Sequence, residues 1–216
     1  MSRGGLSFRP LTSARWKDFE RLFGPNGACG GCWCMWWRQT RREFDENHGE
    51  GNRAAMKRIV DSGEVPGIIA YEDGAPVGWC SVAPRERFPS LDRSRVLKRI
   101  DEEPVWSVVC FYVAAEHRGQ HMADALVKAA VEHVRANGGS ILEAYPVRPR
   151  GKRLQSASSF MGVPSWFERA GFVECARPSD ARVIMRRRVR QGTVGADGRG
   201  PTRTGTRASR VPGRRR

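Results

Sequence analysis

The sequence has no apolar run that approaches the roughly 18 residues a membrane-spanning helix needs. Its first residues lead into neither a signal-peptide core nor an amphipathic anchor, so we expect a cytoplasmic protein without membrane contact. No internal repeat is visible. In that location the six cysteines are expected to stay reduced, which excludes a fold built on disulfides.

A complete set of metal ligands is also missing. Cys29 and Cys32 have the spacing of half a zinc site, but no second pair follows. Cys34 stands only two positions after Cys32, and the nearest histidine is His48. We therefore expect no metal, with zinc as the weaker alternative. The other cysteines lie in apolar, strand-like runs, where cysteine behaves as a small hydrophobe: Cys80, Cys110 and Cys175.

Acidic and large apolar residues become scarce near the C-terminus. Of the net charge of +15, about +10 lies in residues 186–216, which hold eleven Arg and one acid, Asp197. From Gln191 onward there is no Leu, Ile, Phe or Trp, so this segment cannot bury enough apolar surface to order itself. We predict a folded domain over residues 1–189 and a disordered tail over 190–216. The tail is either a solubilising extension or an arm that contacts a polyanion weakly.

One stretch joins a strand to a helix through a short polar turn. Residues 105–113 are rich in β-branched and aromatic side chains, which predicts a strand. Met122, Leu126 and Val134 recur at helical spacing. The first amides of such a helix have no partner inside it and carry the positive end of its dipole. An anion such as a pyrophosphate can therefore dock at this turn.

This stretch resembles the coenzyme A signature of the GNAT family of N-acetyltransferases. In that pattern an Arg or Gln, two variable residues, Gly, one variable residue and Gly or Ala follow a central strand. Here Arg118 stands first, His121 occupies the Gly position and Ala123 comes last. Because Gly lets the backbone approach a phosphate, His121 must either point to solvent or donate a hydrogen bond to the ligand.

Two landmarks outside the turn agree with the resemblance. Gly171-Phe172 follows the turn by about fifty residues, where the family closes a helix and opens the next strand. Residues 67–71 and 77–82 flank Asp73-Gly74, which predicts a β-hairpin before the central strand. The resemblance spans residues 6–189 and implies an α/β acetyltransferase fold. Its mixed, mostly antiparallel twisted sheet is flanked by helices, with a V-shaped split between the central and crossover strands.

The resemblance implies acetyl-CoA as co-substrate in that split. Its pantetheine would pair with the main chain of Phe111 and Val113, whose side chains are expected in the core whatever the ligand. Arg118 would add a charge, unless it is only a solvated surface residue. The pyrophosphate would take amides of the turn and of the first helical residues: Arg118, Gly119, His121, Met122 and Ala123.

Acetyl transfer needs an uncharged acceptor amine, so a carboxylate is the usual proton acceptor. Glu143 lies inside the crossover strand between apolar neighbours, which favours it for this role, with a glutamate bonded to a neighbouring arginine as the alternative. The family's tyrosine that meets the departing thiolate falls here on Phe167. Tyr145 is our substitute, against a tyrosine that merely ends the strand; Ser165, or no acid at all, is the other alternative.

A loop rich in cysteine and tryptophan precedes the second helix. In the acetyltransferase fold this region borders the acceptor site, so we interpret it as a wall of that site. Trp33, Trp36 or Trp37 would stack on the acceptor, and Arg38 would hold an acidic group.

The leading hypothesis is an acetyl-CoA-dependent N-acetyltransferase acting on a primary amine of a small molecule or of a protein. The alternative is a non-catalytic module that binds acyl-CoA and contacts nucleic acid through its basic tail. The expected partner is an amine-bearing acceptor, and a homodimer is left open.

Overall fold

A seven-stranded sheet organises the protein in a computed structural model that describes residues 5–119, 121–149 and 160–189. The strands are β1 Leu6–Pro10, β2 Gly67–Glu72, β3 Ala75–Pro84, β4 Trp106–Val113, β5 Ile141–Ala144, β6 Val173–Ser179 and β7 Arg182–Arg188. Their order across the sheet is β1-β2-β3-β4-β5-β7-β6, in which only β4 and β5 pair in parallel. The predicted mixed, mostly antiparallel sheet is confirmed.

Helices cover both faces of the sheet. They are α1 Trp16–Phe23, α2 Arg41–Glu46, α3 Glu50–Asp61, α4 Pro89–Arg93, α5 Met122–Ala136 and α6 Pro164–Arg169. The helix α5 is the crossover between the parallel strands β4 and β5, which need such a connection. Within the described residues no helix is both long enough and apolar enough to span a bilayer.

Apolar side chains from alternate positions of the strands form a core on each face. On one face, Cys80, Val82 and Phe111 pack with α5 and α6. On the other face, Ile69 and Trp79 pack with α1, α3 and the loop that follows α1. A third cluster joins Val109 and Tyr145 to residues around α4. The sheet thus has an α5 side and an α1 side, and β4 contributes side chains to the clusters on both.

The local predictions hold where turn chemistry is strong. Asp73 and Gly74 both have positive φ, 49° and 78°, as the reversal between β2 and β3 requires. The charged segment from Ser90 to Ile100 predicts a short helix, but the prediction is wrong in extent because α4 ends at Arg93. Apolar runs at residues 172–175 and 181–185 predict a C-terminal hairpin, and its first strand is longer than predicted because β6 continues to Ser179. The predicted tail, residues 190–216, lies outside the described residues.

Candidate functional site

The parallel strands β4 and β5 separate after three residue pairs. Trp106, Ser107 and Val108 of β4 lie opposite Leu142, Glu143 and Ala144, and there the pairing ends. On its other edge β4 continues alongside β3, with one extra residue, Val109, between the positions opposite Val82 and Ser81. Such a bulge bends the strand that carries it. The V-shaped split predicted between the central and crossover strands is therefore present, and it opens at Val109.

The chain leaving β5 turns away from β4. Pro146 follows Tyr145 and has no amide hydrogen to offer a neighbouring strand. Val147 instead forms a bridge with Arg182 on the β7 side. The segment of β4 from Val109 to Val113 therefore runs along the split without β5 as its partner. Phe111 and Val113, predicted to pair with a ligand through their main chain, lie in this segment.

The turn after β4 brings the start of α5 to the split. A short 3₁₀ helix, Ala115–His117, leads into Arg118 and Gly119, and α5 begins at Met122. The first helical hydrogen bond runs from the Ala125 amide to the His121 carbonyl, 3.1 Å. The amides of Met122 and Ala123 therefore lie outside the helical pattern, as expected for a helix start. Gly119 has φ of 80°, and a Cβ built there would have no atom within 4 Å.

His121 adopts the backbone conformation that glycine adopts most easily. Its φ and ψ are 58° and 13°, in the left-handed region. The imidazole is 91% exposed, with Nδ1 3.5 Å from an Asp124 carboxylate oxygen. The imidazole is thus open to solvent and lies beside a carboxylate of the first turn of α5.

Arg118 forms hydrogen bonds within the turn after β4. Its Nε donates a hydrogen bond to the Val113 carbonyl, 3.0 Å, and its amide donates to the Ala115 carbonyl, 3.3 Å. The amide of Arg118, one of those predicted to meet the pyrophosphate, thus already has a partner. The Val113 carbonyl is likewise occupied by the Arg118 side chain. Arg118 braces the end of β4 against the turn.

Glu143 lies in a buried ion-pair network. It is 1% exposed, and both of its carboxylate oxygens accept hydrogen bonds. Oε1 accepts from Arg85 Nη1 at 3.0 Å and from the Tyr145 hydroxyl at 2.6 Å. Oε2 accepts from Arg186 Nε at 2.6 Å. The structure thus shows the alternative anticipated from the sequence, a glutamate bonded to neighbouring arginines.

Tyr145 completes this network from the same strand end. Its hydroxyl donates to Glu143, while Ser107 lies 2.7 Å and Arg85 Nη1 2.6 Å from the same oxygen. Burial, and next the charge of Glu143, raise the pKa of the Tyr145 phenol well above its usual value. The phenol is therefore neutral and its proton is engaged. Neither Tyr145 nor Glu143 presents a free polar atom to the split.

The network is closed on its outer side by two further carboxylates. Arg85 Nη2 contacts Asp92 at 2.8 Å and the Leu97 carbonyl at 2.7 Å. Arg186 makes a two-pronged ion pair with Asp101, at 2.6 and 3.0 Å. Desolvation lowers the pKa of Arg186, but these bonds and the charges of Glu143 and Asp101 outweigh it and raise the pKa overall. Both arginines therefore stay charged beside Glu143.

The loop predicted as a substrate wall places its tryptophans in different environments. Trp33 is 5% exposed and packs among Trp16, Phe19 and Phe23, so it belongs to the core of the α1 side. Trp36 is 37% exposed and packs edge-on against Phe44. The backbone turns sharply between them, which separates these neighbouring rings. The prediction that Trp33 stacks on the acceptor is therefore wrong, because its ring is enclosed in the core.

Trp37 and Arg38 face the third cluster. The Trp37 ring packs against the group that contains Val109 and Tyr145, close to the bulge. The Arg38 guanidinium lies over the Phe88 ring, 4.6 Å from its centroid, and pairs with Glu64 at 2.8 Å. Burial lowers the pKa of Arg38, and the Glu64 carboxylate opposes that effect. Arg38 thus already holds an acidic group that belongs to the protein.

Phe167, at the position where the resemblance places a tyrosine, is fully buried. Its ring packs between Phe111 and Phe172, with centroid distances of 6.0 and 5.2 Å. It links α6 to the edge of the split. A side chain in this position supports β4 but supplies no proton.

Among the described residues, no group of three or more His, Cys, Asp or Glu side chains is arranged to hold a metal ion. A charged cleft of about 950 Å³ lies at the other end of β5, where Ile141, Lys128, Arg169 and Arg188 are among its lining residues. Two members of the buried network, Asp101 and Arg186, also line this cleft.

The family model for GNAT acetyltransferases matches residues 33–153, more than half of the chain, including β4, the turn and α5. The chain belongs to the GNAT acetyltransferase family. No curated protein matches it significantly. The recognised segment contains the split, so the features described above are those of a GNAT domain.

Solved GNAT structures share this fold at low sequence identity. A GNAT-family protein from Desulfovibrio desulfuricans is 20% identical, with a TM-score of 0.50 over 86% of this chain and 100% of that one. A GNAT acetyltransferase from Streptococcus agalactiae 2603 is 12% identical, with a TM-score of 0.51 over 88% and 99%. An N-acetyltransferase from Staphylococcus aureus Mu50 is 13% identical, with a TM-score of 0.50 over 86% and 99%. At these identities the likeness shows the GNAT fold alone.

Sequence reasoning missed the partners that define the buried network of this GNAT domain. Arg85 lies 58 positions before Glu143, and Arg186 lies 43 positions after it. The only local signal was the presence of charged residues next to apolar strands. Cys110 was interpreted as a small hydrophobe and Cys34 only as part of an incomplete metal site, although the fold brings both to the α1 side of β4.

Proposed function

We propose that the protein is an acetyl-CoA-dependent N-acetyltransferase that transfers an acetyl group to a primary amine of a small molecule or of a protein. One observation carries this proposal: the split between β4 and β5 is continuous with the turn at Gly119 and with the start of α5. A strand edge and a helix start in one groove suit a ligand that combines a peptide-like arm with a diphosphate.

The residues present fit such a ligand. The amides of Met122 and Ala123 precede the first helical hydrogen bond, and no side chain would meet a Cβ at Gly119. The exposed imidazole of His121 lies beside Asp124, and we expect the His121 amide and those after it to face the diphosphate. Along the split, the main chain of β4 around Phe111 offers hydrogen bonds to a pantetheine arm. Arg118 acts by bracing the turn.

Acetyl-CoA supplies an acetyl group activated as a thioester. The residues of this chain bind it, orient it and keep water from the groove. The bulge at Val109 marks where β4 and β5 diverge, and Trp37 and Tyr145 pack against this position. The acceptor amine must approach here in its uncharged form.

Glu143 and Tyr145 support this site by positioning it. With both carboxylate oxygens engaged, Glu143 holds Arg85 and Arg186 against the base of the split. A proton acceptor needs a free lone pair within reach of the substrate. We therefore assign Glu143 and Tyr145 to the support of β5 and of the bulge, and expect the proton of the amine to leave by another route.

A second candidate function is an acyl-CoA-binding module without transfer activity. Two observations favour it: Glu143 is enclosed in its network, and Phe167 brings no hydroxyl to the family's tyrosine position. In this candidate the basic tail would contact nucleic acid, and deleting residues 190–216 would abolish the salt-dependent part of that contact.

Titration calorimetry with acetyl-CoA and with desulfo-coenzyme A, followed by thiol release over a panel of amines, separates the two candidates. An enzyme binds both cofactors and releases thiol with at least one amine, on the order of 1 to 10³ turnovers per second for a good acceptor. A binding module gives heat but no thiol with any amine. The tail deletion should leave thiol release unchanged in an enzyme. Absence of binding at millimolar cofactor contradicts both.

A further inference from the structure

Cys34 occupies a central position on the α1 side of the sheet. It is 4% exposed, and the Trp79 indole donates a hydrogen bond from Nε1 to its sulfur, 3.2 Å. Trp79 is itself fully buried in β3. The loop after α1 therefore delivers a thiol to the middle of the sheet rather than to the surface.

The sheet brings a second thiol to the same place. Trp79 and Ser81 project from the same face of β3, because alternate residues of a strand share a face. Cys110 of β4 lies directly opposite Ser81 and packs against the cluster that contains Cys34. The thiol of Cys110 lies 3.9 Å from the Phe111 carbonyl, and its side chain packs on the same face of the sheet as Cys34. The loop after α1 and the central strand thus bring Cys34 and Cys110 into one cluster of side chains.

The surroundings make the two thiols unequal. Burial by itself would raise the pKa of Cys34, but hydrogen bonds from Cys110, Trp79 and Ser81, together with the Arg38 charge, outweigh it and lower the pKa. For Cys110, donation to Cys34 and burial raise the pKa well above its usual value. Cys34 therefore loses its proton more readily than Cys110. This is the arrangement of an attacking sulfur beside a resolving sulfur.

The backbone is held in an unfavourable conformation to place Cys34. Trp33 and Cys34 have φ of 42° and 60°, two consecutive non-glycine residues in the left-handed region. For a bulky residue such as tryptophan this conformation is an outlier that the surrounding structure must stabilise. The packing of Trp33 against Trp16 and Phe23 compensates for it. The left-handed backbone and the packing of Trp33 together fix the position of the Cys34 sulfur.

The neighbouring thiols are less suited to react with Cys34. Cys32 donates from its sulfur to the Gly27 carbonyl, 3.6 Å, and burial raises its pKa. Cys80 is fully buried in β3, and burial raises its pKa well above the usual value. Cys110 is half-buried, so a small reagent can reach the pair from its side.

We propose that Cys34 is an oxidation site for a small peroxide and that Cys110 is its resolving thiol. The Cys34 thiolate attacks one oxygen of hydrogen peroxide, the O–O bond breaks, and hydroxide leaves, giving a sulfenic acid on Cys34. The Cys110 sulfur then attacks the Cys34 sulfur, its proton and the sulfenic hydroxyl leave as water, and a disulfide forms. Peroxide is reduced by two electrons and the two thiols are oxidised.

The disulfide ties the loop after α1 to β4 next to the bulge at Val109. This side of the split is where the acceptor approaches, whereas the turn and α5 lie on the other face. We expect oxidation to lower acetyl transfer while it preserves cofactor binding. This consequence rests on the proposed function, but formation of the disulfide does not.

The experiment treats the full chain with hydrogen peroxide at increasing ratios, alkylates the denatured protein and counts thiols by intact mass. We expect the loss of two of the six thiols and a Cys34–Cys110 peptide after digestion that a reductant removes. Cys175→Ser, at an exposed cysteine, is the matched control and should give the same linked peptide. No substrate is needed, so the result is independent of the proposed function.

Two variants identify the roles within the pair. In Cys110→Ser the sulfenic acid on Cys34 should persist and be trapped by dimedone, whereas in Cys34→Ser the Cys110 thiol should remain alkylatable. If Cys34→Ser fails to fold, Cys110→Ser and the peptide map of the parent protein still show whether Cys34 is the oxidised residue and Cys110 its partner. Oxidation of Cys29 or Cys175 while Cys34 and Cys110 both stay alkylatable overturns the proposal. A Cys32–Cys34 link would also overturn it.

Discussion

Arg85 and Glu143 form an ion pair, 3.0 Å between Nη1 and Oε1, in which neither side chain is exposed to solvent by more than 1%. It joins the segment after β3 to the crossover strand, directly below the split. Removing one partner of a buried ion pair lowers the free energy of unfolding much more than replacing both partners by apolar groups.

Glu143→Ala is therefore expected to lower the free energy of unfolding by about 3–5 kcal/mol, because it leaves two arginines without their shared carboxylate. Urea denaturation measures this loss. Replacing both partners, as in Arg85→Met with Glu143→Leu, should recover part of this loss, because only Arg186, which keeps Asp101, then lacks the Glu143 carboxylate.

Glu143→Gln distinguishes support from catalysis. A structural role predicts a lower denaturation midpoint and a preserved shape of the pH–rate profile in the protein that remains folded. If Glu143 were the proton acceptor, the acidic limb of that profile would disappear while stability stayed near that of the parent. The second result would contradict our assignment.

Trp33 and Trp36 should respond differently to truncation. Trp33→Ala removes a ring enclosed by three aromatic neighbours, so we expect a loss of about 3–5 kcal/mol in the free energy of unfolding. Trp36→Ala removes a half-exposed ring that Arg41 covers at 4.8 Å, and we expect about 1 kcal/mol or less. Equal losses in thermal or urea denaturation would show that Trp33 is not part of the core.

His121 tests the turn before α5. His121→Gly keeps the left-handed backbone and removes an exposed ring, so acetyl-CoA affinity should stay within about twofold of the parent, the size of an ordinary surface effect. His121→Val should weaken binding clearly, because a β-branched residue is strained at φ of 58°. Calorimetric titration of both variants gives the comparison. A large loss of affinity in His121→Gly alone would mean that the imidazole is a ligand.

His133 should make stability depend on pH. Its ring packs edge-on against Trp106, its Nε2 is buried without a partner among the described residues, and burial lowers its pKa below 6.5. Between the folded pKa and 6.5 the unfolded chain binds a proton that the folded chain does not, so stability falls as pH falls through 6.5. His133→Leu should reduce this slope, by at most about 1.4 kcal/mol per pH unit. His121→Asn, at an exposed position, is the control variant, and an unchanged slope in His133→Leu would contradict the prediction.

The elements governed by local chemistry could be predicted from the sequence. Asp73-Gly74 specifies a hairpin turn, and the apolar spacing of Met122 to Val134 specifies α5, because these signals act between near neighbours. The family resemblance then supplied the order of the strands. These two sources together located the split and the turn.

The side-chain partners could not be predicted in the same way. Glu143 has an ordinary strand sequence around it, and its two arginines come from distant segments that only the sheet order brings together. Trp33 and Trp36 share one loop, but the left-handed backbone at Trp33 and Cys34 sends them to different environments. No residue preference indicates such a backbone for tryptophan.

The central claim is that acetyl-CoA binds along the β4 edge and at the start of α5. A titration of isotope-labelled protein with acetyl-CoA, followed by amide chemical shifts, tests it most directly. We predict saturable shifts that cluster at residues 109–113 and 122–124. Shifts confined to the cleft near Ile141 and Arg188, or no saturable shifts at millimolar cofactor, would contradict it.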